Sequence, residues 1–158
     1  DGESVKKDIN ANIALLQPTH MSSIDGIKML HIGIKAKLTD GDTVDVARTK
    51  PADSANSKEW FEVDLGEEYD IGKVILYAGE DPSLFPSDFT ISVYDGNKWN
   101  KVAEEKNYKA KDASEKQIFG IKNAKGNKIR IDITKMRSNE DGEYVAELSE
   151  IEVFQEEK

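Results

Sequence analysis

Hydrophobic residues recur at every second position in several short runs of this chain, which is the spacing of β-strands that bury one face. The runs 60–65, 89–94 and 128–134 alternate in this way. The run 74–78 is almost continuously apolar, as is typical of a strand covered on both faces. We therefore predict antiparallel strands in these runs, with the stretch 60–102 at the centre of an all-β domain.

Polar turn residues separate the runs of the central stretch. Connections are predicted at 66–70 and 80–86, and the Asp95-Gly96-Asn97-Lys98 sequence predicts a tight hairpin because Asp-Gly favours the turn that joins two antiparallel strands. A further turn is predicted at Lys125-Gly126-Asn127, after a short strand at 117–121.

The pattern is less regular outside the centre. A first strand is predicted at 12–16, and one short strand at 29–34 within the irregular segment 19–37. The run 145–154 is predicted to close the chain as a final strand. The segments predicted as loops are 38–50, 51–58 and the highly charged, solvated excursion 104–116.

Eight or nine predicted strands, with no stretch of helical periodicity, indicate an all-β jelly-roll β-sandwich. The length of 158 residues fits one domain. We assign residues 1–10 to a linker or frayed end and residues 11–158 to the domain. Because the chain opens at Asp1 without a methionine, we expect it to be a monomeric module cut from a longer protein.

Composition narrows the classes of partner. A formal net charge of −9 argues against nucleic acid or an anionic membrane surface, since attraction to phosphate supplies most non-specific affinity. No apolar run approaches the roughly 18 residues of a membrane span, so membrane insertion is not expected. The chain has no cysteine, so its stability must come from its core or from a metal, and its compartment stays open between cytosol and cell exterior.

The residues needed for common catalytic sites are scarce. His20 and His31 are the only histidines, so the familiar zinc and Cys-His arrangements lack side chains. The sequence has no Gly-x-Ser-x-Gly elbow and no glycine-rich phosphate loop. The 31 acidic residues make a pair of carboxylates uninformative about glycoside hydrolysis. We predict that this chain is not an enzyme.

The loop that contains Asp40, Asp42 and Asp45 has the acidity of a calcium loop. It is not an EF-hand, because its glycine stands at the second position instead of the sixth and Pro51 occupies the place of the bidentate glutamate. On spacing alone, a surface Asp-Gly turn is favoured over a calcium site.

A series of sequence blocks nevertheless occurs in a distinctive order between residues 38 and 154. The blocks are DGD at 40–42, WFEVDLG at 60–66, IGKVILY at 71–77, FPSDFTISVYDG at 85–96, Trp99, IRIDIT at 129–134 and LSEIEVF at 148–154. They resemble those of the F5/8 type C, or discoidin-like, domain, and among its bacterial members those of family 32 carbohydrate-binding modules. The resemblance implies a galactose-binding-like β-sandwich, in agreement with the strand pattern.

The resemblance implies a structural Ca²⁺ near the meeting of the chain ends, and it reverses the preference for a plain turn. The implied ligands are Asp40, Asp42, Glu150 and a backbone carbonyl near Lys37. Asp45 stands where the family usually has threonine, and it would add an oxygen together with a negative charge. The ion would fix the loop and hold the termini together.

The resemblance also implies a sugar site on loops at one end of the sandwich, where an aromatic ring covers the apolar face of a pyranose and polar groups bind its hydroxyls. Tyr144 matches a position where the family often has such a ring. Galactose-binding members have a histidine and an aromatic residue in the first loop, and an arginine after the strand equivalent to 71–77; this chain lacks them, so galactose itself is not implied. For Phe85 and His31, packing is the favoured alternative to ligand contact. The candidate ligand-binding residues are Tyr144, Phe85, Arg48, Glu80, Asp81, Asn139 and His31.

The function that the resemblance implies is that of a non-catalytic carbohydrate-binding module of a secreted or surface-anchored bacterial glycan-active enzyme, such as a glycoside hydrolase. The module would tether the enzyme to glycans and raise the local concentration of its substrate. Two alternatives stay open: an adhesion domain that binds a protein or a cell surface, and a structural spacer that has lost its sugar site.

Overall fold

The computed structural model describes residues 8–25, 38–43, 45–112 and 115–157. In these ranges the chain is built almost entirely of β-strands, which confirms the predicted fold class, and a 3-10 turn spans Pro82–Leu84. None of the described helical turns has the length and apolar character needed to cross a membrane. The strands are β1 (Thr19–Met21), β2 (Ala47–Arg48), β3 (Glu59–Tyr77), β4 (Asp88–Tyr94), β5 (Trp99–Glu105), β6 (Lys116–Lys135), β7 (Arg137–Ser138), β8 (Tyr144–Val145), β9 (Glu147–Leu148) and β10 (Glu150–Gln155).

Two long antiparallel strands, β3 and β6, form the centre of the fold. They pair from Glu59 opposite Ile133 to Tyr77 opposite Lys116, with two shifts of register along the way. The connections predicted at 66–70 and 125–127 are therefore wrong. Gly66 adopts a φ of 81° and the register shifts nearby, so the chain bends within one strand instead of turning back.

The bends in β3 and β6 distribute the strands between the two layers of a jelly-roll sandwich. The first half of β3 lies between β1 and the second half of β6, which continues through β4 to β5. The second half of β3 lies between β10 and the first half of β6. Two small sheets, β2 with β9 and β7 with β8, extend one end of the sandwich.

The core lies between these layers and follows the predicted alternation. Every residue of the run 74–78 is buried, which confirms its prediction as a strand covered on both faces. The Asp-Gly hairpin between β4 and β5 is also confirmed, with Asp95 N donating to Lys98 O. The inward-facing residues of the three alternating runs are all buried: Phe61, Val63, Leu65, Phe89, Ile91, Val93, Ile129, Ile131 and Ile133.

The remaining differences lie in segments without a regular pattern. Residues 12–16 form turns instead of the predicted strand, because Asn12 Oδ1 accepts a hydrogen bond from the backbone N–H of Ala14. The predicted loop 38–50 contains the two-residue strand β2, and the predicted final strand is divided into β8, β9 and β10. The strand predicted at 29–34 lies outside the described residues.

Candidate functional site

An ion pair between β2 and β9 lies at the loop-bearing end of the sandwich. Arg48 stands opposite Glu147 in the antiparallel pair, and its guanidinium donates hydrogen bonds from Nε and Nη2 to Glu147 Oε2. The Glu147 side chain is 1% exposed and that of Arg48 is 22% exposed. Burial raises the pKa of Glu147, while the bond and charge of Arg48 act in the opposite direction. A buried carboxylate therefore holds a partly exposed guanidinium in place.

The segment that follows β3 passes directly over this pair. A β-carbon added at Gly79 would lie 2.7 Å from Glu147 Oε1, so only glycine lets the backbone approach so closely. Within the described residues, Oε1 of Glu147 has no hydrogen-bond partner. On another side, the N–H of Asp25 donates to Arg48 O at 2.9 Å. Three separate parts of the chain thus converge on the pair of Arg48 and Glu147.

Tyr144 belongs to the same strip of backbone, which is formed by the segments 47–52 and 144–148. Ala52 and Tyr144 exchange two backbone hydrogen bonds of 2.9 and 3.0 Å, so the segments 47–52 and 144–148 run side by side. The Tyr144 ring is half-buried and packs against the edge of the core. The structure therefore places the predicted residues Arg48 and Tyr144 on neighbouring backbone segments, and Glu147 lies on the same segment as Tyr144.

The other predicted polar residues help to shape the surrounding loops. Asp81 Oδ1 accepts from the backbone N–H of Ser83 and from its hydroxyl, at 3.0 and 2.7 Å, and so caps the 3-10 turn. Asn139 Oδ1 accepts from the backbone N–H groups of Asp141 and Glu143 and closes the β7–β8 turn. Glu80 is exposed beside Asp81. Asp81 and Asn139 each retain a second polar side-chain atom for a ligand.

Phe85 does not belong to this surface. It is 0% exposed, and its ring centroid lies 5.8 Å from that of Phe89 and 5.3 Å from that of Tyr108. Its prediction as a ligand contact is corrected, because packing in the core encloses the whole ring. His31 lies outside the described residues, so its prediction stays untested.

A second group of acidic residues joins the aspartate loop to β10. The N–H of Gly41 donates to Glu150 Oε2 at 2.6 Å, and the N–H of Asp42 donates to Asp40 Oδ1 at 2.8 Å. Glu150 is 1% exposed. Burial raises the pKa of Glu150 to about 8; the Gly41 N–H lowers it, and the charge of Asp40 raises it further.

The fit of this group to a cation can be judged from Glu150. Its Oε1 is buried and meets no donor of good geometry in the described part of the chain, and the adjacent carboxylate of Asp40 raises the pKa of Glu150 both by its charge and by a side-chain hydrogen bond. A cation would supply the missing partner and remove the repulsion between the two carboxylates. Across 8–25, 38–43, 45–112 and 115–157, no three acidic or histidine side chains form a metal-holding group, so Asp42 and Asp45 do not complete one. Lys37 lies outside the described residues, and backbone carbonyls would have to supply further ligands.

Several solved structures share this fold. Chitosan-binding module 1 of a chitosanase/glucanase from Paenibacillus sp. IK-5 superposes with a TM-score of 0.71 at 21% identity, covering 92% of this chain and 99% of that one. A fucose binding module of Streptococcus pneumoniae gives 0.67 at 26% identity, with 96% and 100% covered. A family 32 module of Clostridium perfringens in complex with GalNAc-β-1,3-galactose gives 0.67 at 16% identity, with 86% and 93% covered.

The sequence itself is matched by one family. No curated protein matches the chain significantly. The F5/8 type C domain matches residues 27–150, which is most of the chain and includes both the aspartate loop and the strip that carries Arg48 and Tyr144. The sequence, the jelly-roll sandwich and the solved structures agree, and the chain belongs to the F5/8 type C domain family, with the fold of its carbohydrate-binding modules.

Proposed function

We propose that this domain is a non-catalytic carbohydrate-binding module whose sugar site lies on the strip formed by residues 48–52 and 144–148. The observation that carries the proposal is the Arg48 guanidinium, which is partly exposed and held from below by the buried Glu147. Its N–H groups can donate to sugar hydroxyls, and the half-buried ring of Tyr144 can cover the apolar face of a pyranose. Because the ion pair is already formed, little side-chain entropy is lost on binding.

Arg48 also offers a guanidinium in place of the arginine that galactose-binding members have after the strand equivalent to β3 and that this chain lacks. That position is the start of the segment 79–81, and Gly79 there lies against Glu147. Because Glu147 in turn holds Arg48, the guanidinium reaches the same corner from β2. Because the arginine comes from a different strand, we expect the sugar-binding site to differ in specificity from that of the galactose-binding members.

Glycans are the partner that the similar structures favour. Their names describe binding of chitosan, fucose and GalNAc-β-1,3-galactose by those proteins. We infer that this module is part of a secreted or surface-anchored bacterial glycan-active enzyme and tethers it to glycans. Tethering would act through effective concentration, so weak binding at a single site suffices.

A glycan array followed by calorimetry tests the sugar site. We expect Arg48→Gln and Tyr144→Ala to weaken binding of the best array ligand by about tenfold each, since each removes a central contact. Lys128→Gln, on a distant sheet face, should leave the affinity unchanged. If the folded domain binds no glycan, or if both site variants bind as well as the wild type, the proposal is wrong. An adhesion domain or a structural spacer would then be the favoured function.

We also propose a structural Ca²⁺ at the aspartate loop. Asp40 and Glu150 would hold it, with backbone carbonyls such as that of Lys37 as further oxygen ligands; Asp42 and Asp45 would join them only if the loop rearranged on binding. The ion would supply positive charge that joins the loop to β10. Addition of a calcium chelator should lower the melting temperature by several degrees, while Glu150→Gln should be insensitive to the chelator. Equal melting temperatures of the wild type with calcium and with chelator would contradict this site.

A further inference from the structure

A small cavity lies beside the 3-10 turn, which follows the segment 79–81 that contacts Glu147. It has a volume of about 300 Å³, at the lower end of the range for ligand sites, and is lined by Pro82, Ser83, Lys109, Ala110 and Arg137. Pro82 and Ala110 give it apolar walls. Its two charged residues are both cations, in a chain whose net charge is −9.

The cavity exists because residues 106–112 of the predicted solvated excursion 104–116 are fixed to the core through Tyr108. The Tyr108 ring packs among Phe85, Phe89 and Phe119, with ring centroids 5.3 to 5.7 Å away. Its hydroxyl donates to Oε1 of the buried Gln117 at 2.7 Å, and its backbone N–H donates to Ser87 O at 2.9 Å. These contacts hold the following residues, Lys109 and Ala110, against the 3-10 turn.

Arg137 differs from the other two arginines of the chain. Arg48 and Arg130 each pair with a carboxylate that is buried or nearly so. Within the described part of the chain, Arg137 donates only to neutral oxygens, Phe85 O and Asn107 Oδ1, both at the long distance of 3.4 Å. Among the ion pairs of the described residues, none involves Arg137 or Lys109. A guanidinium has five N–H donors, so Arg137 can still offer a bidentate contact to an anion.

We propose that this cavity is a subsite for an anionic substituent of a glycan, a carboxylate or a sulfate ester, bound by Arg137 and Lys109. The apolar walls receive part of a sugar ring, and the two cations neutralise its charged group. The inference rests on the proposed sugar-binding function for the identity of the ligand. The turn 82–84 separates the subsite from the segment 79–81 beside Arg48, so one oligosaccharide could contact both.

The overall negative charge does not oppose such a site at close range. At physiological ionic strength the field of a surface charge decays over about 8 Å, so the adjacent cations dominate within the cavity. The segment 106–111 carries three lysines and no acidic residue, and the neighbouring carboxylates of Asp81 and Asp88 already accept hydrogen bonds, from Ser83 and from the N–H of Asn107. Binding of an anion there should weaken as salt is added.

Matched ligands separate the effect of charge from that of the sugar skeleton. The intact domain is titrated with an oligogalacturonate and its fully methyl-esterified form, and with a sulfated galactan tetrasaccharide and its desulfated form. Affinity is followed by calorimetry, and the contact surface by NMR. We expect at least one charged ligand to bind about tenfold more tightly than its neutral counterpart, with shifts at Lys109 and Arg137. The two pairs show whether the anion is a carboxylate or a sulfate.

Variants then test whether Arg137 and Lys109 contribute to binding of the charged ligand. Arg137→Gln and Lys109→Gln should each weaken the charged ligand by about threefold to tenfold and leave its neutral counterpart unchanged. Lys106→Gln, an exposed lysine outside the cavity, should change neither. Lys109→Gln keeps the test valid if loss of Arg137 unfolds the excursion. Equal binding of charged and neutral ligands, or unchanged binding by both cavity variants, overturns the subsite while leaving the sugar site at Arg48 intact. If Arg48→Gln weakens no ligand at all, the sugar site itself is wrong.

Discussion

Arg130 stands between two tryptophans on the outer face of the sheet. Its guanidinium carbon lies 4.5 Å from the ring centre of Trp60 and 4.6 Å from that of Trp99. Nε and Nη2 both donate to Glu62 Oε1, at 3.1 and 2.7 Å. The planar group therefore satisfies two rings and one nearly buried carboxylate at once. This cluster links β3, β6 and β5, so the two tryptophans help to hold the sheet together.

Replacement of Arg130 should be costly because several contacts depend on it. We expect Arg130→Met, which keeps an unbranched apolar chain but removes the guanidinium, to lower the free energy of unfolding by about 2 kcal/mol, since Glu62 loses its partner and both rings lose the cation. Lys128→Met is the matched control: its Nζ lies 5.5 Å from the Tyr94 ring, and its loss should cost about 0.5 kcal/mol. Urea denaturation measures both. Similar losses for the two variants would contradict a special role of the stacked guanidinium.

Ionisation of Tyr77 should lower the free energy of unfolding at alkaline pH. Its hydroxyl donates to Glu152 Oε1 at 2.9 Å, and burial, this bond and the neighbouring acidic charges raise its pKa to about 12 from an ordinary value of 10.0. Between these values the unfolded chain has lost the proton that the folded chain retains. The contribution of Tyr77 is therefore complete below pH 10 and is lost as the pH rises through 12.

Comparison with Tyr77→Phe isolates this effect. The variant should be less stable than the wild type by about 1 kcal/mol at pH 8, because it lacks the hydrogen bond to Glu152. It has no proton to lose, so the difference should shrink by pH 11 in urea titrations. A difference of constant size across this range would show that Tyr77 keeps its ordinary pKa.

At the scale of the element, two glycines of β6 differ in the space around them: Gly126 is tightly enclosed and Gly120 is open. A β-carbon at Gly126 would lie 2.1 Å from Tyr94 O and 2.5 Å from Val93 Cγ1, whereas one at Gly120 would meet nothing within 4 Å. Gly126 thus lets β6 pass close to β4 at the bend between the two layers. A run that contains Lys-Gly-Asn predicts a turn, but here the glycine allows the backbones of β6 and β4 to lie close together.

The two glycines predict opposite effects of the same substitution. Gly126→Ala should lower the free energy of unfolding by about 2 kcal/mol, because the backbone of β4 must move. Gly120→Ala should leave stability unchanged or raise it by up to about 1 kcal/mol, because alanine restricts the unfolded chain. Chemical denaturation of both variants checks this. A stable Gly126→Ala protein would mean that β4 and β6 can separate at low cost.

How much of an element the sequence reveals depends on which interaction determines it. The alternation of Phe61 and Val63, or of Ile129 and Ile131, reports burial directly, so these strands are predicted correctly. The continuity of β3 through Gly66 depends on pairing with β6 some 60 residues away, and local turn chemistry carries no information about that pairing.

The candidate site shows the same limit at the scale of the whole molecule. Arg48 was predicted from its place in a candidate loop and Tyr144 from the family resemblance, but Glu147 was missed, since only the pairing of β2 with β9 places it opposite Arg48. Lys109 was missed because it lies in a charged segment without apolar period. The one signal was Tyr108, an isolated aromatic residue in that segment, and its burial among three phenylalanines is a long-range contact.

Asn12 joins the first described segment of the chain to its last strand. Its Oδ1 accepts from the N–H groups of Ala14 and Val153, both at 3.0 Å, and the N–H of Ile13 donates to Val153 O at 2.9 Å. Ile13 and Ala14 are buried in the core, so this single side chain closes the sandwich across 141 positions of sequence. Side-chain caps of this kind hold two backbone donors that would otherwise be left unpaired.

Asn12→Ala should therefore lower the free energy of unfolding by about 1.5 kcal/mol, because the N–H groups of Ala14 and Val153 lose their acceptor together. Asn10→Ala is the control: Asn10 is exposed, its backbone N–H keeps Asp8 Oδ1 as acceptor, and the change should stay within about 0.5 kcal/mol. Hydrogen exchange adds a local readout, since the amide of Val153 should exchange faster in Asn12→Ala alone. Unchanged protection of that amide would show that β10 is held by β3 without help from the N-terminal segment.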